Sequence, residues 1–169
     1  MSVHSDGHVD GQGKVSHAIT DQLYDEALRL AEESRTYFSR YSKTDRAELG
    51  PIDRVLYTAE SLRISTRLMQ VISWSMVRKA VVTGDMTAED ARKPERQLDD
   101  LELCAGSDPR SLRKLPRAVV ILSHRSLNIY KRALRLQGQL IASPEGEDKV
   151  SVSPVANRLQ SLEGKLQLA

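Results

Sequence analysis

Four imidazoles and one thiol are the side chains of this sequence best suited to hold a transition metal or to react near neutral pH: His4, His8, His17, His124 and Cys104. A zinc site needs several nitrogen or sulfur ligands converging on one point, usually in closely spaced pairs. Here Cys104 stands alone, and three of the histidines fall in or beside a polar N-terminal stretch. His124 belongs to the polar side of a predicted helix, a solvated position. A reactive thiolate needs electropositive surroundings, whereas Cys104 closes the acidic stretch "DDLELC". No glycine-rich phosphate loop occurs. Removal of Met1 would leave Ser2-Val3-His4, whose amine and imidazole can chelate Cu(II) or Ni(II) in a square plane, but any tail of that composition could do so. These residues point away from an enzyme, and to no cofactor or metal.

Charge is the remaining candidate. Residues 110–142 hold eight basic side chains, Arg110, Arg113, Lys114, Arg117, Arg125, Lys131, Arg132 and Arg135, and no acid. Residues 85–103 hold seven acids against three bases, and residues 17–33 five acids against Arg29 alone. A basic helix can grip phosphates. No aromatic stacking residues or turn-plus-recognition-helix pattern accompany this one, however. The plainer reading is that it packs among acidic helices of its own bundle with complementary rims. An acidic protein partner is the first functional reading, and a nucleic-acid-associated regulator using the Arg113–Arg135 helix is the alternative.

The elements that must carry these charges are helical. The chain has 169 residues, 40% hydrophobic and 28% charged, but only 4% aromatic, with one Trp and one Phe. A core resting on Leu, Val, Ile, Ala and Met favours helix-on-helix packing over sheets. With 25 basic and 23 acidic residues the net charge is +2, which does not by itself select a nucleic-acid binder. One cysteine makes no internal disulfide, so a reducing cytoplasm is expected. The N-terminus lacks the apolar core of a secretory signal, and no apolar run approaches the ~18 residues of a membrane span.

Residues 1–16 read as a disordered tail, residues 17–142 as a helical bundle, and residues 143–169 as a flexible tail able to form a helix on binding. In the first helix Leu23, Ala27, Leu30, Ser34, Tyr37 and Tyr41 make one stripe, and "SKTDRAELGP" (42–51) ends it. The second is predicted from about Ile52 to Thr83, closed by Gly84. Its wide apolar side holds Ile52, Val55, Ala59, Leu62, Met69, Met76, Val77 and Ala80, with Thr66 and Ser73 among them. A narrower stripe opposite holds Tyr57, Ile64, Leu68, Val71 and Ile72, and a wedge of Glu60, Arg63, Arg67 and Arg78 lies between. Two apolar sides predict burial on both, with the small residues Ala59, Thr66, Ser73 and Ala80 allowing close approach. Pro94 should divide the next segment into helices near 87–93 and 95–104, followed by a loop, "AGSDPRS". The last long helix is predicted from Leu115-Pro116, with the seam Leu115, Val119, Leu122, Ser126, Ile129, Ala133, Leu136 and Leu140. A second row, Val120, Leu127, Leu134 and Ile141, is left for a short helix of the same chain or for a second copy. The fold class is thus all-α, an antiparallel three-helix bundle with short extra helices and a homodimer expected. Near the end, Val155, Leu159, Leu162 and Leu166 fall at helical intervals, too few to be stable alone.

The stretch "ESLRISTRLMQVISW" (60–74), with Lys79-Ala80-Val81 and "GDMTAEDA" (84–91), resembles the signature of the RcdA family, regulator of CtrA degradation. "LPRAVVILSHRSLNIYKRALRL" (115–136) is similar to that family's second motif. The resemblance covers roughly residues 20–141. It implies a small, dimeric, all-helical accessory protein of alphaproteobacteria, cytoplasmic and open to recruitment to a cell pole. Such a protein is a non-catalytic adaptor that helps the ClpXP protease degrade CtrA-like and other regulators, together with CpdR-like and PopA-like factors. No catalytic residue comes with the resemblance. From the residues themselves, the expected partner-binding positions are Arg63, Arg67, Arg125 and Arg132 on the bundle and Leu159, Leu162 and Leu166 in the tail.

Overall fold

The computed structural model describes residues 9–99 and 102–142, with side chains from residue 15 onward. Three long helices dominate: α1 (Val9–Glu48), α2 (Pro51–Thr83) and α5 (Arg117–Ala142). Between α2 and α5 the chain makes two single turns of helix, α3 (Ala88–Ala91) and α4 (Pro109–Leu112), and two 3-10 turns, Pro94–Arg96 and Glu102–Cys104. The expected all-helical bundle is what forms.

Helix α1 is longer than the sequence reading at both ends. It starts at Val9 rather than near residue 17, and no proline stands in its way there. It also continues through "SKTDRAE", because Lys, Arg, Ala and Glu are good helix formers and polarity alone does not end a helix. The true break is Gly50-Pro51. Pro51 opens α2 from its first position, where its missing amide donor costs nothing. At the other end Gly84 adopts φ 79°, the left-handed conformation glycine tolerates best, and Asp85 N and Met86 N both donate to Ala80 O.

Side-chain pairs fix the helix directions. Lys79 of α2 meets Asp21 of α1 at 3.0 Å, and Phe38 of α1 packs edge-on to Tyr57 of α2, so these two helices are antiparallel. Arg125 and Arg132 of α5 meet Glu33 and Glu26 of α1, again antiparallel. Helix α5 therefore runs parallel to α2, with Ser123 beside Glu60 and Gln137 near Arg78. Parallel neighbours need a crossover, and residues 84–116 supply it.

That crossover is mostly irregular. Among the described residues, the helix expected near 95–104 is replaced by the two 3-10 turns, and side chains hold the backbone around them. Ala91 O accepts from Arg78 and Gln97, Leu98 exchanges two bonds with the Gln137 amide, and Tyr130 donates to Asp99 O. Helix α4 forms where a loop was expected, since Asp108 caps it by accepting from Ser111 N at 2.9 Å. The core between the helices is Leu23, Ala27, Leu30, Tyr57, Ile64, Leu68, Val71, Trp74, Val119, Leu122, Ile129, Ala133 and Leu136, with Leu98 and Cys104 from the crossover. No helix among the described residues is long and apolar enough to cross a membrane.

Candidate protein-interaction surface

Most of the wedge of charge on α2, namely Glu60, Arg67 and Arg78, lies inside the protein. Arg67 is fully buried, and its guanidinium donates to Cys104 O (3.0 Å), Ala105 O (2.6 Å), Ser126 Oγ (3.3 Å) and Glu60 Oε1 (3.3 Å). Glu60, equally buried, also accepts from Ser123 Oγ at 2.5 Å and from Ser107 Oγ. Burial opposes ionisation of Glu60, yet the hydroxyls of Ser107 and Ser123, then Arg67 and Arg63, outweigh it and hold the carboxyl below the usual carboxylate range. Burial lowers the Arg67 guanidinium from its ordinary value against the pull of Glu60. Both groups remain charged at neutral pH. The network joins α2, α5 and the crossover, because an arginine's fork can satisfy several backbone carbonyls at once.

The expected site residues consequently separate. Arg67 is a correction: a fully buried guanidinium presents no charge to a docking partner. Arg63 stays partly exposed, 3.4 Å from Glu60. Arg125 forms two hydrogen bonds to Glu33 (2.7 and 2.8 Å), and Arg132 one to Glu26 at 2.6 Å. Two guanidiniums of the basic helix thus face the acidic rim of α1, leaving fewer for phosphates. Leu159, Leu162 and Leu166 lie outside the described residues.

A second correction concerns the two sides of α2. The bundle packs on the narrow stripe, widened by the charged wedge, while the wide apolar side faces solvent. Leu62, Met69 and Met76 are 54%, 59% and 56% exposed, and Ile52 and Val55 more so. The signal was present in the sequence. Val55, Leu62, Met69 and Met76 recur at a strict seven-residue interval, alternating with the equally strict Ala59, Thr66, Ser73 and Ala80. Such a narrow seam is what an outside helix uses. On α5 the second row is largely covered by its own chain: Val120 and Leu134 pack against the core and the crossover approaches Leu127 at Gly106, leaving Ile141 exposed.

Where α1 ends and α2 begins, a groove of about 800 Å³ opens between them, lined by Lys43, Arg46, Ala47, Arg54, Val55, Thr58 and Ala59. Among the described residues no group of His, Cys, Asp and Glu is arranged to hold a metal ion, and the Cys104 side chain is buried.

The model of a family described as a protein of unknown function (DUF1465) matches residues 11–166. Among solved structures, the crystal structure of RcdA from Caulobacter crescentus CB15 is similar, at 30% sequence identity and a TM-score of 0.58. The similarity covers 72% of this chain and 89% of that one. The curated proteins give no match.

Proposed function

The chain belongs to the DUF1465 family and is RcdA-like, and from that premise we propose that it is a non-catalytic adaptor for regulated proteolysis. In this reading it holds CtrA-like and other regulators near the ClpXP protease, with CpdR-like and PopA-like factors as co-partners, in the cytoplasm or at a cell pole. The observation that carries it is the 30% identity to RcdA over 72% of the chain. A tether works without chemistry, by raising the local concentration of a substrate at the protease.

The homodimer belongs to the same proposal. It is supported by the solvent-facing seam of α2, where large and small residues alternate every three or four positions. Two antiparallel copies related by a two-fold axis near residue 71 would set Leu62 against Ala80, Thr66 against Met76, and Met69 against Ser73 of the other copy. Each large side chain would then meet a small one. The tail, residues 143–169, is proposed to fold against a partner through Leu159, Leu162 and Leu166.

The deciding measurement is the lifetime of a CtrA-like regulator in the source cells, with the intact protein, a deletion, and a truncation after Ala142. Stabilisation in both altered strains is the expected outcome. Stabilisation only on deletion moves delivery from the tail to the bundle, and an unchanged lifetime in all three removes CtrA delivery. Leu159→Asp with Leu162→Asp should likewise abolish delivery without altering the thermal unfolding of the bundle.

A further inference from the structure

From the groove at the α1–α2 corner we infer a docking site for an acidic segment of another protein, one carrying an aliphatic side chain between carboxylates. Its rim is made by Lys43, Arg46 and Arg54, all exposed. None of the three pairs with a carboxylate among the described residues, unlike Arg125 and Arg132. Arg46 and Arg54 each commit only Nε, to Ser42 O (3.3 Å) and Leu49 O (2.9 Å) of their own backbone. Those bonds steady the side chains and leave the terminal guanidinium nitrogens for a ligand, the pair of donors that grips a carboxylate in bidentate fashion. The nearby acids stand outside the groove. Asp45 is turned inward, accepting from Tyr37 (2.6 Å) and Tyr57 (3.1 Å), and neither Glu48 nor Asp53 lines the groove.

The rest of the groove is apolar. Ala47, Val55 and Ala59 line it, and Thr58 spends its hydroxyl on Arg54 O at 3.0 Å. A phosphate backbone gains nothing from such a surface, and no aromatic ring lines it for a base to stack on. Carboxylates on an aliphatic peptide use both parts. The volume, about 800 Å³, falls within the range of specific ligand sites.

Within one copy, the chain's own acidic run cannot fill the groove. Helix α5 ends at Ala142 beside Arg78, and Arg78 lies roughly 35 Å along α2 from Val55 at the ~1.5 Å rise per helical residue. Glu145, Glu147 and Asp148 follow Ala142 too closely, since six extended residues span at most about 22 Å. The one later acidic side chain, Glu163, sits between Arg158 and Lys165.

The site deepens the adaptor reading by naming a partner chemistry, and rests on that reading for its biological meaning. Its test needs no protease, so its failure is separable from a failure of delivery. A short fluorescein-labelled peptide of Glu pairs separated by Leu is titrated with the full chain by fluorescence anisotropy, beside a Lys-for-Glu peptide and an oligothymidine. Saturable binding of the acidic peptide alone is expected. Arg46→Glu with Arg54→Glu should weaken it about 100-fold, and Val55→Ser about tenfold, with melting curves unchanged. Lys43→Glu provides a second variant should the double one unfold. No binding with the chain raised to about 1 mM, well above a typical micromolar peptide affinity, overturns the site. Equal binding of oligothymidine with no effect of Val55→Ser overturns it in favour of a general polyanion surface. Loss of a dimer on Arg46→Glu with Arg54→Glu overturns it in favour of a second copy as occupant.

Discussion

Glu60 and Arg67 show how much one buried pair can organise. Each alone would be costly to bury. Together, with three serines and the backbone carbonyls of Cys104 and Ala105, they close the joint between α2, α5 and the crossover. Because the Glu60 carboxyl is held below its ordinary value of 4.5, its ionisation stabilises the fold above that pH, and the contribution is lost as pH falls through the lowered folded value. Glu60→Gln leaves the Arg67 charge buried without its counter-ion. It should cost about 3–5 kcal/mol at pH 7, measured by denaturant unfolding. The gap to the parent should narrow once acid has protonated Glu60. A loss under about 1 kcal/mol at pH 7 would mean that the serines and carbonyls alone hold Arg67. This network was only half legible in sequence: Glu60, Arg63 and Arg67 stood out as charges inside an apolar helix, but the partners outside α2 are 37 to 63 positions away. The carbonyls of Cys104 and Ala105 belong to a segment whose conformation periodicity does not encode.

At the scale of one element, α2 reads as two helices laid back to back. Its boundaries were legible to within a residue because Pro51 and Gly84 act locally, through a missing donor and a left-handed cap. Which side faces the core was misread, although the strict seven-residue repeat of the outer seam was there in the sequence. Hydropathy predicted burial of both apolar sides, yet the bundle buries only Tyr57, Ile64, Leu68 and Val71 with most of the charged wedge, since neutralised charges count as interior surface. The exposed seam leads to a prediction at this scale. Met69→Asp should convert a dimer to a monomer in sedimentation analysis while leaving the helical content and melting unchanged, because Met69 contributes nothing to the bundle core. A parent that sediments as a monomer at high concentration, or a variant that remains dimeric, rules out this seam. Burying a Leu or Met is worth roughly 1.5–3 kcal/mol, so a few such contacts per copy are sufficient to matter.

Across the whole molecule, the class of fold and its three long helices followed from aliphatic composition and helical spacing, while the parallel arrangement of α2 and α5 did not. It depends on the crossover, where single helical turns and 3-10 turns replace the longer helices that spacing suggested. The crossover also orders the steps of folding. Helices α1 and α2 meet across a turn of two residues, whereas α5 docks only after the ends of residues 84–116 are brought together, an entropic cost of roughly 3 kcal/mol. We predict that α1 and α2 form one cooperative unit and that α5 opens from it at lower free energy. Native-state hydrogen exchange would then show α5 amides exchanging before those around Ile64 and Val71, and equal protection would sink the idea. Such an opening would uncover Ile64, Leu68 and the Glu60–Arg67 pair together. A sparsely populated conformer of this protein would then carry a surface as specific as any on its resting form, and a partner that captured it would read the folding state of the chain rather than its abundance.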